Sequence, residues 1–178
     1  MEFQSVIEAR RSVRAFDADR TVTKEQVTEL VEAGILAPSW KNSQTARYYC
    51  LLEHEKCNAF AKECLPDFNS NSAKGAALVI TTFVANRSGF DRDGNADNEA
   101  GNGWGFYDLG MHNENFILKA KEMGLDTLVM GIRDADKIRA FLSIPETEII
   151  VSVIAVGYGA VNPDKPKRKQ AEDILQFL

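Results

Sequence analysis

With 178 residues, 44% of them hydrophobic and 26% charged, the chain has the composition of a globular protein and the length of one domain, residues 1–178. A net charge of −5 argues against a nucleic-acid-binding or anionic-membrane surface, while leaving room for a local basic site. Met1-Glu2-Phe3-Gln4-Ser5 shows no signal-peptide pattern, and the longest apolar stretch, Ile149 to Val161, is broken by Ser and Gly and is too short to span a bilayer. Cys50, Cys57 and Cys64 are odd in number and lack metal-ligand spacing, so free thiols in a reducing cytoplasm are expected.

In chain order, a short helix is predicted over Phe3–Arg10, with Phe3, Val6 and Ile7 on one face. A second starts near Thr23, where Thr23-Lys24-Glu25-Gln26 has capping-box spacing. It turns Val27, Leu30, Val31 and Ile35 inward and stops at Gly34 and Pro38. Arg47–Glu53 reads as a strand, and Glu55–Cys64 as a helix with Cys57 and Cys64 near one face. Ala77–Ala85 is a near-continuous apolar run, hence a strand buried on both faces. After a polar loop, Asn86–Asn102, a long helix is expected from Trp104 to Met123, with Leu109, Phe116 and Ala120 inward and Gly124 as its stop. A strand over Leu125–Met130, a helix over Asp134–Leu142 and a last strand over Ile149–Tyr158 complete the prediction. The absence of a steady βαβ alternation favours α+β.

Three segments carry chemistry. Arg10-Arg11-Ser12-Val13-Arg14 packs three guanidiniums and a hydroxyl directly after a helix. Two readings stay open: forked donors for a phosphate, or cations complementing the negative end of the helix. Lys165-Pro166-Lys167-Arg168-Lys169 is a second basic cluster, kept extended by Pro163 and Pro166. Together the two clusters would form one anion pocket for a phosphomonoester. Ala37-Pro38-Ser39-Trp40-Lys41-Asn42-Ser43-Gln44 gathers amides and hydroxyls before a strand, either as a helix stop and turn or as donors and acceptors for a polar heterocycle.

In type and order these segments resemble the nitroreductase family. So do Asp108-Leu109-Gly110-Met111 with Asn115, Met123-Gly124-Leu125-Asp126-Thr127, and Ile144-Pro145-Glu146 before the strand ending Val156-Gly157-Tyr158. The resemblance spans nearly the whole chain. It implies an α+β fold with a mixed, largely antiparallel sheet flanked by helices, in an intertwined homodimer with FMN at the interface. It further implies that Arg10, Ser12, Lys167 and Lys169 grip the FMN phosphate, with Arg168 as a substitute and Arg11 beside the phosphate or ribityl chain. Arg14 would reach the ring edge where negative charge develops on reduction. Pro38, Ser39, Trp40 and Asn42 would approach the ring from the partner subunit, Met130 and Gly131 would face it, and Asn71 or Asn69 would touch its polar edge. Where the family has Pro and an aromatic residue after Gln44, this chain has Thr45 and Ala46, which bears on the shape of the adjacent pocket.

A flavin carries its own redox chemistry, so no catalytic triad or metal site is required. His54 and His112 have no evident nucleophile or carboxylate partner in the sequence. Gly101-x-Gly103-x-Gly105 and Gly157-x-Gly159 both fail the dinucleotide fingerprint, which suits a ping-pong exchange in which NADH or NADPH stacks on the flavin and leaves. Nitroaromatics or quinones are the acceptors that the resemblance implies. The rivals are a dehydrogenase or reductive dehalogenase of the same fold, a non-catalytic flavin-binding module, and a phosphate- or nucleic-acid-binding protein. The Asp91–Asp97 loop misses calcium-loop register at Ala96 and Asn102. Glycines 89, 94, 101 and 103 make 86–102 either a hinged lid or a plain surface loop. Trp104, Phe106 and Tyr107, at a helix start, are read as core in preference to substrate-facing.

Overall fold

A computed structural model of the chain describes residues 2–178; of the residues read above for a leader, Met1 lies outside it. Six helices, α1 (Phe3–Ala9), α2 (Lys24–Ile35), α3 (His54–Cys64), α4 (Asp67–Ser72), α5 (Gly103–Glu122) and α6 (Ala135–Leu142), surround one sheet among the described residues. The strands are β1 (Ala46–Leu51), β2 (Ala77–Val84), β3 (Asp126–Met130) and β4 (Glu148–Gly157), in the order β1-β2-β4-β3 with every neighbouring pair antiparallel. The architecture is α+β, as expected.

The central strands follow from their composition. β2 and β4 are Val- and Ile-rich and buried on both faces, because helices cover both sides of the sheet. On one side, Phe60, Cys57 and Cys64 of α3 and Ile138 of α6 pack on Leu78, Ile80, Leu128, Val153 and Ala155. On the other, Val27 and Leu30 of α2 and Phe116, Ile117 and Ala120 of α5 cover Val79, Ile154 and Val156.

The α2 capping box forms as predicted: the Gln26 N–H donates to Thr23 Oγ1 (3.2 Å) and the Thr23 N–H donates to Gln26 Oε1 (3.0 Å). Gly34 and Pro38 bracket the end of α2 as expected, the helix closing at Ile35, and Gly34 itself stands in its last turn. A Cβ there would stand 3.1 Å from Tyr48 Oη and 3.3 Å from the His112 carbonyl, so the glycine admits close packing. Gly105 plays the same part where α5 crosses β2: an added Cβ would overlap Cε2 and Cδ2 of the fully buried Phe83. Gly105→Ala is therefore expected to cost about 1–3 kcal/mol through overpacking. Denaturant unfolding measures it, and a midpoint equal to the parent's would show that Phe83 moves aside freely.

Of Phe3, Val6 and Ile7 on one face of α1, Val6 is buried, while Phe3 is 69% and Ile7 42% exposed. Ile35, expected to turn inward from α2, is 57% exposed, which corrects that expectation. Phe106 and Tyr107 are exposed as well, at 47% and 61%, so the aromatic start of α5 is not core. The helix α4 was not predicted.

Candidate functional site

After α1 the backbone opens at Arg10 (φ −62°, ψ 132°) into an extended run that alternates sides: Val13 and Phe16 are buried, Ser12 and Arg14 exposed. The Val13 N–H donates to the Thr127 carbonyl (3.0 Å), and Ser12 bridges Thr127 in parallel, so the run extends the sheet at the β3 edge. The three guanidiniums then part ways. Arg11 Nη1 donates to the carbonyls of Glu8 (2.6 Å) and Arg10 (2.8 Å), which is the helix-end role. Arg14 Nη1 reaches only the Ser12 carbonyl, at 3.3 Å. Arg10 and the Ser12 hydroxyl have no ion-pair or hydrogen-bond partner among the described residues, so their donors are uncommitted within the chain.

The segment leaving β4 returns to this place. The Asp17 N–H donates to the Tyr158 carbonyl (2.8 Å) and the Ala160 N–H to the Ala15 carbonyl (2.9 Å). The root of the basic tail is thus anchored beside the Arg cluster. Lys167, Arg168 and Lys169 themselves are exposed, and within one chain they form no ion pair or hydrogen bond with Arg10–Arg14 among the described residues.

At the far end of β3, Asn69 and Asn71 separate cleanly. Asn69 is 8% exposed and spends its amide on the Ile132 carbonyl (2.8 Å), fixing the turn after β3 to α4. Asn71 is exposed. Met130 is 2% exposed and packs among Ile138 and Val153, so its side chain points into the core, correcting the expectation that it faces a ring. Only its backbone is available there. Gly131 is exposed, and a Cβ on it would meet nothing within 4 Å. Thr127 turns its main chain to the outer edge of β3, and strand alternation turns Val129 the same way. Lys74, passed over in the sequence because α4 was not foreseen, adds an exposed cation near Asn71. It precedes Gly75, whose added Cβ would sit 2.9 Å from the Phe16 carbonyl.

The Pro38–Gln44 segment forms a tight turn around a single 3-10 turn, Trp40–Asn42. Lys41, Asn42 and Gln44 all take left-handed backbone conformations (φ 47°, 54° and 50°), an arrangement that costs energy and persists because its surroundings enforce it. The Gln44 N–H donates to Ser39 Oγ (3.1 Å) and the Trp40 N–H to Asp108 Oδ2 of α5 (3.0 Å). Trp40 Nε1 donates to Asp97 Oδ2 (3.0 Å), Lys41 pairs with Asp97 (2.7 Å), and the Trp40 ring tilts against Trp104 at 4.2 Å. Pro38 and Asn42 are exposed, Ser39 half-buried.

The same contacts hold the 86–102 loop. Ser88 donates its hydroxyl to Asp108, and Gly89, at φ +82°, is wedged against Trp104 and the Gly101 carbonyl, so it is a packing position as much as a hinge. No hydrogen bond or ion pair joins the Pro38–Gln44 turn to the Arg10–Arg14 run among the described residues, and one chain does not gather all the expected residues into one pocket.

A groove of about 690 Å³ between α2 and β1 is lined by Val27, Val31, Ile35, Tyr48, Leu52 and His112. It lies away from the Arg cluster and is largely apolar, so volume alone does not mark the site. Burial lowers the pKa of His112, against the opposing pull of Asp108, and burial raises that of Tyr48. Among the described residues no helix is long and apolar enough to cross a membrane.

The sequence profile of the nitroreductase family matches residues 7–158. The chain is 24% identical to MhqN of Bacillus subtilis, provisionally named an NAD(P)H nitroreductase, with 99% of each chain covered. Its fold superposes with a TM-score of 0.85 on a Staphylococcus epidermidis protein provisionally named an NAD(P)H:FMN oxidoreductase, at 20% identity over 99% of this chain and 96% of that one. A Desulfovibrio desulfuricans protein solved in complex with FMN superposes at 0.76, with 24% identity over 100% of this chain and 98% of its own. At these identities the structural likeness establishes the fold, and the profile match establishes the kinship: this chain belongs to the nitroreductase family.

Proposed function

We propose that the chain, as a single domain over residues 1–178, is an FMN-dependent oxidoreductase that uses NADH or NADPH to reduce small organic acceptors such as nitroaromatics or quinones. The observation that carries this reading is the pairing of uncommitted phosphate donors with the edge of β3 that lies beyond the Ser12–Thr127 bridge. Arg10 and Ser12 keep their donors free, and the outward main chain of Val129 with the open space at Gly131, just past the end of β3, leaves room there for a flat ring. These groups fit FMN: a phosphomonoester suits the Arg–Ser pair, and a ring edge of alternating donors and acceptors suits backbone groups with Asn71. The tail cations Lys167, Arg168 and Lys169 extend the same grip from a root already anchored at Ala160. Arg11, tied to the end of α1, shapes the floor beside the phosphate.

Bound FMN supplies the redox chemistry, taking electrons from the nicotinamide and passing them to the acceptor in two half-reactions. The protein binds, orients and tunes. Arg14, exposed and held by one long contact, is free to set positive charge near the ring's pyrimidine edge. We read the active form as a homodimer, in which the turn bearing Pro38, Ser39, Trp40 and Asn42 in one subunit completes the site of the other. That accounts for their separation from Arg10 within one chain. It also gives a cover to Phe3, Ile7, Ile174 and Phe177, which are 42–91% exposed in the single chain. Free cysteines at 50, 57 and 64 suit the reducing cytoplasm.

The test is an absorbance spectrum of the protein after FMN addition and desalting, followed by anaerobic NADH or NADPH. Retained flavin bands that bleach are expected. Bands that never bleach would point to a binding module without turnover, and a colourless protein would overturn the reading. Turnover of halogenated phenols in preference to quinones and nitroaromatics would select the dehalogenase rival. In the same preparation, Arg14→Ala is expected to lower the flavin midpoint potential, because a nearby cation stabilises the anionic reduced form. An unchanged potential with FMN still bound would remove that role from Arg14.

A further inference from the structure

We propose that the cavity between the Ser39–Gln44 turn and the 86–94 loop binds the phosphates of the nicotinamide dinucleotide that serves as electron donor. The inference rests on the flavin reading above and supplies what that reading lacks. On that reading the basic clusters at both ends of the chain serve the FMN phosphate, and no Gly-rich dinucleotide fingerprint is present.

The cavity encloses about 560 Å³, with Trp40 and Phe90 as apolar wall and Lys41, Arg87, Arg92 and Asp91 as its charged groups. These charges are not equally available. Lys41 is neutralised by Asp97 at 2.7 Å. Asp91 turns its carboxylate back into its own loop, accepting from the N–H groups of Asp93 (2.9 Å) and Asn95 (2.8 Å) and from Asn95 Nδ2 (3.1 Å). Arg87 and Arg92 form no ion pair or hydrogen bond through their side chains among the described residues, although both are exposed at the rim. Two uncommitted guanidinium forks facing one cavity are the donor set a phosphate or pyrophosphate requires.

The frame holding them is built. Phe90 bridges Ala96, the Asp97 N–H donates to the Gly89 carbonyl (2.8 Å), and the Asn102 amide ties to Asn86 (2.9 Å). The two arginines therefore flank a closed loop, which limits the ordering cost of binding. Position completes the case. Trp40 lines this cavity and belongs to the turn that the flavin reading brings to the ring, so on that reading a nicotinamide stacked on the ring sends its phosphates toward Arg87 and Arg92.

Calorimetric titration with NADP⁺ tests the site on the oxidised, FMN-loaded protein. In the Arg87→Ala/Arg92→Ala variant the affinity is expected to fall at least about tenfold, one charge-assisted contact being worth roughly that factor. Arg87→Lys/Arg92→Lys should recover part of it. The preference for NADPH over N-benzyl dihydronicotinamide, a donor without phosphates, should fall by a similar factor in kcat/KM. Unchanged NADP⁺ affinity in a variant that melts like the parent would overturn the proposal. So would an equal loss with both donors, which would make the arginines merely structural. A raised KM for nitrobenzoate but not nitrobenzene, with NADPH unaffected, would reassign the cavity to an acceptor carboxylate and likewise overturn it. If the protein retains no FMN, the flavin reading fails on its own. The titration of the flavin-free protein then decides the site: NADP⁺ binding lost in the variant supports it, and no NADP⁺ binding at all refutes it.

Discussion

Asp108→Ala is expected to destabilise the protein by about 2–4 kcal/mol, since it strands the buried Ser88 hydroxyl, at roughly 1–3 kcal/mol, and the half-buried Trp40 N–H, at less. Asp108 is 3% exposed, and its Oδ2 accepts from both the Trp40 N–H and the hydroxyl of Ser88, which is itself 1% exposed. The consequence is local as well as global. The turn it holds contains three residues in left-handed conformations, and such strain persists only while its clamps do. Once Asp108 is gone, the turn can relax, and Trp40 loses its registration on Trp104. Because both bonds converge on one oxygen, Asp108→Asn can satisfy them with its amide oxygen and should be much the milder change. Burial should also push the His112 pKa lower in the Ala variant, where the opposing charge of Asp108 is missing. Urea unfolding of the two variants checks the energy, and a histidine titration by NMR checks the electrostatics. An Ala variant as stable as the parent would mean that water replaces Asp108 at the turn, and that the turn is not clamped from α5.

Much of this clamp was beyond the reach of the sequence, and the reasons are physical. β2 and β4 were legible because a strand covered on both faces must be apolar throughout, and α2 because its cap is a local exchange between residues three apart. Gly124 was legible as a stop because φ +76° favours glycine. Gly34 was legible as a mark of the helix end, but its close packing against Tyr48 was not, because a glycine admitted for packing looks the same in sequence as one that ends a helix. The helix α4, Asp-Phe-Asn-Ser-Asn-Ser, is built of poor helix formers and is held by tertiary contacts such as Asn69 to Ile132, so local propensity could not announce it. The exposed Ile35, Phe106 and Tyr107 read as core because apolar residues on a helix signal burial without saying against what. In the site, the cluster of guanidiniums was visible, but not its division of labour. Which arginine turns back to Glu8 and which stays free depends on the angle at which the chain leaves α1.

That division gives the second large effect. Arg10→Ala combined with Ser12→Ala is expected to weaken FMN binding about a hundredfold, two charge-assisted contacts at roughly 1.4 kcal/mol or more each, with tenfold in affinity for each such step. Stability should move by no more than about 0.5 kcal/mol, the range for surface positions without special contacts, because neither side chain bonds to the rest of the described chain. Arg11→Ala should behave in the opposite sense. It removes the contacts to the Glu8 and Arg10 carbonyls and so loosens the end of α1, with a smaller effect on FMN. Quenching of FMN fluorescence gives the affinities, and riboflavin sharpens the comparison because it carries the same ring without the phosphate. The parent should prefer FMN to riboflavin, and the double variant should lose most of that preference while binding riboflavin much as before. Equal weakening toward both flavins would place Arg10 and Ser12 under the ring instead of the phosphate. An undiminished preference for FMN would leave the phosphate to Lys74 and the tail cations, and the reading of the free donors beside β3 would have to be given up.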